Sequence, residues 1–288
     1  MTRERGQSAE RTSFGTPGTT ETPGALHRQL SVVWRMKFVQ GLLRNLGFLP
    51  GLVYIAQKLR QKSMPGASPI TLYSKYSLHP LICRPRTSDL QVFGQIFAAR
   101  EYRCLDDIDD RSGLIIDCGA NVGYSAAYLL SRFSRATLIA VEPDPANFSI
   151  LEANLAPFET RYRAICSGVW SHPVGLVIEE TPYRDGREWT RQVRPVRNDE
   201  KAAMVGIDIG TLLRKSGFDR IFILKVDIER AESVVFSSNY EQWINSVDNI
   251  VIELHDEECR AVFMKAIASA DFAISQCDEL TVCKRTFR

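Results

Sequence analysis

The stretch from Leu114 to Ser125, Leu-Ile-Ile-Asp-Cys-Gly-Ala-Asn-Val-Gly-Tyr-Ser, constrains the fold more than any other part of the chain. Three apolar residues lead into the carboxylate of Asp117, small residues then let the backbone turn tightly, and a helix can begin at Tyr124 or Ser125. A strand that passes through a glycine turn into a helix is the unit of parallel, doubly wound α/β sheets, and its turn presents bare backbone to a ligand. The runs Leu138–Val141, Ile221–Leu224 and Ile250–Ile252 repeat the strand pattern. Each is short and unbroken rather than alternating, as strands covered on both faces are. After Val141, Asp144 can cap a helix with Pro145 at its first position, and Phe148, Leu151 and Leu155 give that helix one apolar face. Phe272–Ser275 and Leu280–Cys283, separated by a polar turn, read as a C-terminal β-hairpin.

Glu142 stands nineteen residues past Gly123, at the end of the next apolar strand. An acidic residue about twenty positions beyond a glycine turn accepts the hydroxyls of a ribose in nucleotide-binding α/β folds, so the spacing predicts an adenosine-containing ligand. The glycines narrow its kind. A dinucleotide fingerprint needs glycine at 119, 121 and 124, whereas the chain has Gly119, Asn121 and Tyr124. The two missing glycines are those that admit a pyrophosphate and allow close helix packing. No G-x-x-x-x-G-K-[ST] loop occurs either. A ligand without pyrophosphate suits such a turn, and S-adenosylmethionine is the common one.

The 288 residues are 44% hydrophobic and 24% charged, an ordinary globular composition, but the formal net charge of +2 conceals a segregation. Residues 22–88 contain ten Lys or Arg and no Asp or Glu, whereas residues 89–288 contain 23 basic and 31 acidic side chains. The larger part has the wrong sign for a phosphate-tracking surface, so no nucleic acid is expected as a partner. The seven cysteines are odd in number and include no Cys-x-x-Cys pair, which fits free thiols in a reducing compartment. With no secretory signal and no run of about 18 apolar residues, the expected location is the cytoplasm.

Residues 1–25, rich in Pro, Gly, Ser, Thr and Glu, are expected to form a disordered tail. Residues 26–87 read as a basic, partly helical extension, in which Leu30, Trp34, Phe38, Leu42 and Leu46 recur at every fourth position until Pro50-Gly51 interrupts. Two readings of this extension stay open. It is a helix on an anionic membrane surface, giving peripheral membrane contact, or a helical cap packed on the main domain.

The run Asp-Cys-Gly-Ala-Asn-Val-Gly-Tyr-Ser (117–125), with Val-Glu-Pro-Asp (141–144) after it, resembles the seven-stranded S-adenosylmethionine-dependent methyltransferases. Asp-x-Gly-Ala-Asn-x-Gly in particular resembles the FkbM family, and Ser88–Tyr102, Leu224–Glu232 and Ile250–His255 agree with it in order. The resemblance covers about residues 88 to 285. It implies a Rossmann-like, doubly wound seven-stranded sheet over residues 88–288, with S-adenosylmethionine bound at Asp117, Gly119, Asn121, Gly123 and Glu142. It also implies an O-methyltransferase acting on a hydroxyl of a sugar, glycan or other small natural product. One position departs: the family's Lys-x-Asp-x-Glu-Gly-x-Glu has glycine where this chain has Arg230. If that glycine takes a positive φ, arginine there is strained by about 1–3 kcal/mol.

Lys225, Asp227 and Glu229 place three charges at alternate positions where a buried strand emerges, which is costly unless they line a polar crevice. In a doubly wound sheet this strand and the one bearing Asp117 should be neighbours at the switch point, with the ligand outside their carboxyl ends. Methyl transfer to an alcohol needs alignment and a base. Asp227 is the leading candidate for base or hydroxyl-orienting group, Lys225 for a catalytic partner, His255 for the alternative base or, more readily, a structural or orienting group, and Glu229 for binding substrate hydroxyls. Nothing in the spacing fixes Asp227, Glu229 and Glu253 around Mg²⁺, and no His/Cys cluster suits zinc, so no metal is expected. Residues 179–200 read either as a flap over the acceptor or as a solvated hairpin. Two other classes compete, a nucleotide-dependent oxidoreductase and a non-catalytic methyltransferase fold that binds a partner, the latter motivated by Arg230. The chain lacks the Asn/Asp-Pro-Pro-Tyr signature of nitrogen methylation, which leaves oxygen as the favoured acceptor atom.

Overall fold

From the amino end, helix α1 (Phe48–Arg60) precedes a short antiparallel pair, β1 (Ile70–Leu72) and β2 (Leu81–Cys83), and helix α2 (Asp89–Phe93). Strand and helix then alternate through β3 (Gly113–Cys118), α3 (Tyr124–Arg132), β4 (Ala136–Glu142), α4 (Pro145–Leu155) and β5 (Tyr162–Cys166). A small antiparallel sheet follows, with β6 (Gly175–Ile178) between β7 (Val193–Pro195) and β8 (Met204–Val205). The chain continues through α5 (Ile209–Ser216), β9 (Ile221–Val226), α6 (Glu232–Val235), β10 (Val247–Glu253) and α7 (Glu257–Ile267). It closes with the hairpin of β11 (Phe272–Cys277) and β12 (Leu280–Arg285). This computed structural model describes residues 41–42, 44–60, 68–179, 192–197 and 199–286. The expected tail, the Leu30, Trp34 and Phe38 positions of the helical row, and the centre of the flap lie outside the described residues.

The central sheet has the order β11-β12-β10-β9-β3-β4-β5, with β10, β9, β3, β4 and β5 parallel and β12 antiparallel to β10. The mostly parallel seven-stranded sheet and terminal hairpin expected from the sequence are the ones observed. Strand order reverses at β3, which has β4 on one side and β9 on the other, with Asp117 in register with Lys225. Leu114, Ile116, Leu224, Ile250 and Ile252 are fully buried and pack with Phe236, Trp243 and Phe263. Each such side chain contributes about 1.5–3 kcal/mol by leaving water, which is why the strand cores read as unbroken apolar runs.

Helix α4 starts as its sequence dictates. Asp144 Oδ1 accepts the N–H groups of Ala146 and Asn147 at 2.8 and 3.1 Å, and Pro145 takes the first turn. Pro50-Gly51 does not end a helix as the sequence reading expects. The chain breaks at Gly47, whose φ is 88°, and Pro50 falls in the first turn of α1, where its missing N–H has no intrahelical partner to lose. Tyr54 of α1 stacks on Phe93 with ring centroids 6.2 Å apart. Asn154 accepts the Ile82 N–H at 2.7 Å and donates to the Val122 carbonyl at 2.8 Å, so the segment before β3 braces the glycine turn. Among the described residues no helix is long and apolar enough to cross a membrane.

Candidate active site

The turn after β3 is shaped by two glycines and held by one carboxylate. Gly119 has φ 78°, and a Cβ there would collide with the Asp227 carbonyl oxygen. Gly123 has φ 83° and packs on the backbone of Leu151. Asn121, between them, takes φ 50°, which asparagine tolerates better than most side chains. Its N–H donates to Glu142 Oε2 at 2.8 Å, while Glu142 Oε1 accepts from the Asp144 N–H at 3.0 Å and from Asn147 Nδ2 at 3.3 Å. Arg84 Nη2 in turn donates to Asn147 Oδ1 at 2.7 Å. Glu142 therefore braces the turn and, since a carboxylate offers about four acceptor sites, keeps about one lone pair, on Oε2, for a ligand, with a second taken up only by the long contact from Asn147. Burial pushes its carboxyl up to about 7, although these donors pull the other way.

Lys225 lies beneath the turn rather than in the open. Its side chain is 3% exposed, and its ammonium donates to the Gly119 carbonyl at 2.7 Å and stands 3.1 Å from Asp117 Oδ1. Burial alone would lower its pKa, but the charges of Asp117 and Asp227 outweigh burial and raise it. Asp117 is fully buried, accepts from Ser125 Oγ at 2.6 Å, and lies below the cavity wall. Asp117 and Gly123 thus shape the turn from beneath, Lys225 pins it and also reaches the cavity lining, and Gly119, Asn121 and Glu142 face the ligand space.

That space is a cavity of about 280 Å³ at the carboxyl ends of β3, β4, β9 and β10. Gly119, Ala120, Asn121, Glu142, Pro143 and Ser167 form one side of its lining. Asp227, Glu229, Glu253, Glu101 and Glu279 supply carboxylates to the rest. Crowding shows in their proton affinities: burial first, then the Asp227 charge, pushes Glu101 up to about 7 and Glu253 up to about 8. Asp227 is half-buried, its side chain 34% exposed, with Lys225 Nζ 3.8 Å from one oxygen and His255 Nε2 3.6 Å from the other.

His255 sits behind this wall with carboxylates on both ring nitrogens. Nε2 is 3.4 Å from Glu229 Oε2, and Nδ1 is 3.2 Å from Glu232 Oε1. Burial alone would lower the ring's pKa, but Glu229, Glu232 and Asp227 outweigh it and push it up to about 11. Carboxylates on both ring nitrogens favour the charged ring, an arrangement that fits the structural or orienting role the sequence also allows for His255.

Arg230 takes φ 80°, and Glu229 before it φ 52°, so the chain keeps the left-handed turn that glycine would occupy without strain. The Arg230 Nε donates to Asp256 Oδ2 at 2.6 Å. The described ends of the flap form a hairpin stem, with Ile178 opposite Val193, and Val193 reaches the cavity lining. Gln192 Nε2 donates to the Glu229 carbonyl at 2.9 Å. The sequence reading misses Glu101, Glu232, Asn147 and Asn154. Glu101 and Glu232 lie within the stretches that carry the family resemblance, which is the one signal that singles them out.

The model of the Methyltransferase FkbM domain matches residues 117–276. The chain is 28% identical over 188 residues to Methyltransferase 1 of Beauveria bassiana (strain ARSEF 2860), covering 57% of this chain and 72% of that protein. It is 28% identical over 168 residues to Methyltransferase sdnD of Sordaria araneosa, covering 48% of this chain and 65% of that protein. Among solved structures, methyltransferase FkbM from Methylobacillus flagellatus KT shares 13% identity at a TM-score of 0.43, covering 88% of this chain and 60% of that one. The matched region holds the glycine turn, Glu142, and the β9 and β10 strand ends with their charges, and the chain belongs to the FkbM methyltransferase family.

Proposed function

We propose that the protein transfers a methyl group from S-adenosylmethionine to a hydroxyl oxygen of a sugar, glycan or other small natural product. The observation that carries this reading is the charge of the cavity. Glu101, Glu142, Asp227, Glu229, Glu253 and Glu279 line it, and Lys225, the cationic side chain among its described lining residues, is already paired with Asp117. Glu101, Glu142 and Glu253 keep part of their protons near neutral pH, and even so a wall of acids repels a pyrophosphate and attracts a sulfonium and an α-ammonium, which favours this cofactor over a dinucleotide. It is equally unsuited to a nucleic-acid backbone.

The residues present fit the cofactor. The turn exposes backbone at Gly119–Asn121, Asn121 Oδ1 is buried without a hydrogen-bond partner, and Glu142 has acceptor capacity beside it. When bound, S-adenosylmethionine supplies an electrophilic methyl group. The chain's own residues do the rest. Lys225 holds the turn, Glu142 accepts the ribose hydroxyls, Glu229 binds acceptor hydroxyls, and Asp227 accepts the proton of the attacking hydroxyl. Lys225 and His255 bracket the two Asp227 oxygens and orient the carboxylate.

Calorimetry of the full chain with S-adenosylhomocysteine and with NAD, followed by transfer of radiolabelled methyl to free sugars and lipid-linked glycans, tests this. The expected result is one S-adenosylhomocysteine bound per chain, no NAD binding, and label held as a base-stable ether. Failure to bind S-adenosylhomocysteine, or a base-labile methyl ester as product, overturns it.

A further inference from the structure

We infer that Asp227, Glu229 and His255 form a divalent-cation site behind the cavity wall. The His255 side chain is 1% exposed, and its Nε2 stands 3.4 Å from Glu229 Oε2, 3.6 Å from Asp227 Oδ1 and 3.6 Å from Glu253 Oε1. It is hydrogen-bonded to none of them, and Glu229 Oε2 is likewise buried without a hydrogen-bond partner. A ring N–H that served only to neutralise these acids would turn to one of them and donate along its axis. Here three oxygens surround the nitrogen at nearly one distance and align with none.

One ligand atom each from Asp227, Glu229 and His255 lies within 4.8 Å of the other two. Two atoms bound about 2.1 Å from a common ion stand about 3.0 Å apart at a right angle and about 3.4 Å apart at the tetrahedral angle. The three therefore close around an ion with side-chain shifts of under about 1 Å. Glu232 Oε1 stands 3.2 Å from Nδ1, which also lacks a hydrogen-bond partner here, on the side from which a carboxylate fixes the tautomer of a metal-ligating histidine once the ring turns onto the ion. The cation replaces the ring proton that otherwise sits among these oxygens.

An imidazole with two carboxylates suits Mn²⁺, Fe²⁺ or Zn²⁺ better than Mg²⁺ or Ca²⁺, which prefer oxygen alone. Asp227 and Glu229 also line the cavity, so the open positions of such an ion face the acceptor. There it lowers the pKa of a bound hydroxyl and favours acceptors with two adjacent oxygens. That use rests on the methyl-transfer reading; cation binding does not.

Titration of the chelator-treated full chain with MnCl₂, with free Mn²⁺ read from its six-line electron paramagnetic resonance signal, tests the site. One Mn²⁺ per chain is expected, with affinity reduced about 100-fold or more in His255→Gln and in Glu229→Gln and unchanged in Glu142→Gln. Circular dichroism of each variant checks the fold, and Glu229→Gln, nearer the surface, carries the test if His255→Gln fails to fold. Absence of a stoichiometric site, or undiminished affinity in the folded Glu229→Gln variant, overturns the proposal. Mn²⁺ binding without S-adenosylhomocysteine binding supports the site while removing the methyl-transfer reading. The reverse result removes the site alone.

Discussion

The Lys225 ammonium donates to the carbonyl oxygen of Gly119 at 2.7 Å, joining the end of β9 to the turn that follows β3. The same ammonium neutralises Asp117, which has no exposure to solvent. Removing one partner of a buried pair leaves the other charge uncompensated, at about 3–5 kcal/mol. Lys225→Met should lose stability of that order in urea denaturation, and Asp117→Asn/Lys225→Met should recover part of it. S-adenosylhomocysteine affinity should fall in both variants, because neither pins the turn. Full affinity in the double variant removes the pinning role.

Glu142 predicts a pH dependence with a definite sign. Burial raises its carboxyl to about 7, so below that pH the free protein holds a proton there. Ribose hydroxyls that donate to the carboxylate favour its ionised form, so cofactor affinity should rise as pH climbs through about 7 and flatten above. Stability runs the other way. An acid with a raised folded-state pKa stabilises the fold most below its unfolded value of 4.5, and the contribution is lost as pH rises from there to about 7. Calorimetry at pH 6 in buffers of different ionisation enthalpy should show proton release with wild type and none with Glu142→Gln. Equal proton release in both would assign the coupling elsewhere.

The parts of this molecule that are legible in its sequence are those set by local patterns. The runs at 114–116, 138–141, 221–224 and 250–252 lie inside β3, β4, β9 and β10, and Asp144-Pro145 opens α4, because strand burial and helix capping are written over a few consecutive residues. The carboxylates that line the cavity and surround His255 are different. Glu101 precedes β3, Glu232 opens α6 and Glu253 ends β10, and each alone reads as an ordinary solvated acid. Only the sheet order brings them together. The burial of Lys225 likewise follows from its register opposite Asp117, which periodicity cannot specify.

Arg230 tests the strain in the loop after β9. At φ 80° a β-carbon meets the backbone where glycine does not, a difference of about 1 kcal/mol. Arg230→Gly and Arg230→Ala both lose the half-exposed pair with Asp256, which is worth about 0–1 kcal/mol. The glycine variant should therefore be more stable than the alanine variant by about 1 kcal/mol in thermal or urea unfolding. Equal stability would show that the loop relaxes to another conformation.

The reading of the basic segment as a membrane-surface helix has its own test. Phe48, Leu49, Leu52 and Val53 of α1 are 70, 72, 45 and 43% exposed, and residues 22–88 carry no acid. An apolar stripe on a basic segment favours anionic lipid, at about 1 kcal/mol for each basic residue near the surface. The full chain should cosediment with phosphatidylserine-containing vesicles and not with neutral ones, and Leu49→Glu/Val53→Glu should weaken this about tenfold or more. Undiminished cosedimentation of that variant would place the contact elsewhere.

Asp227 is the remaining test of the chemistry. Its carboxylate is exposed to the cavity, while its backbone N–H donates to the Cys118 carbonyl at 3.1 Å and so stays fixed when the side chain changes. Asp227→Asn conserves volume and removes the proton acceptor. S-adenosylhomocysteine affinity should stay within about threefold of wild type, while turnover falls about 10²–10⁴-fold, the usual worth of a positioned base. The pH profile separates a base from a group that only shapes the wall. With no acceptor in the protein, solvent hydroxide must take the hydroxyl proton, so the residual rate should climb about tenfold for each pH unit. A residual rate that keeps the wild-type pH profile would leave Asp227 an orienting role and move the base to another of the cavity's carboxylates.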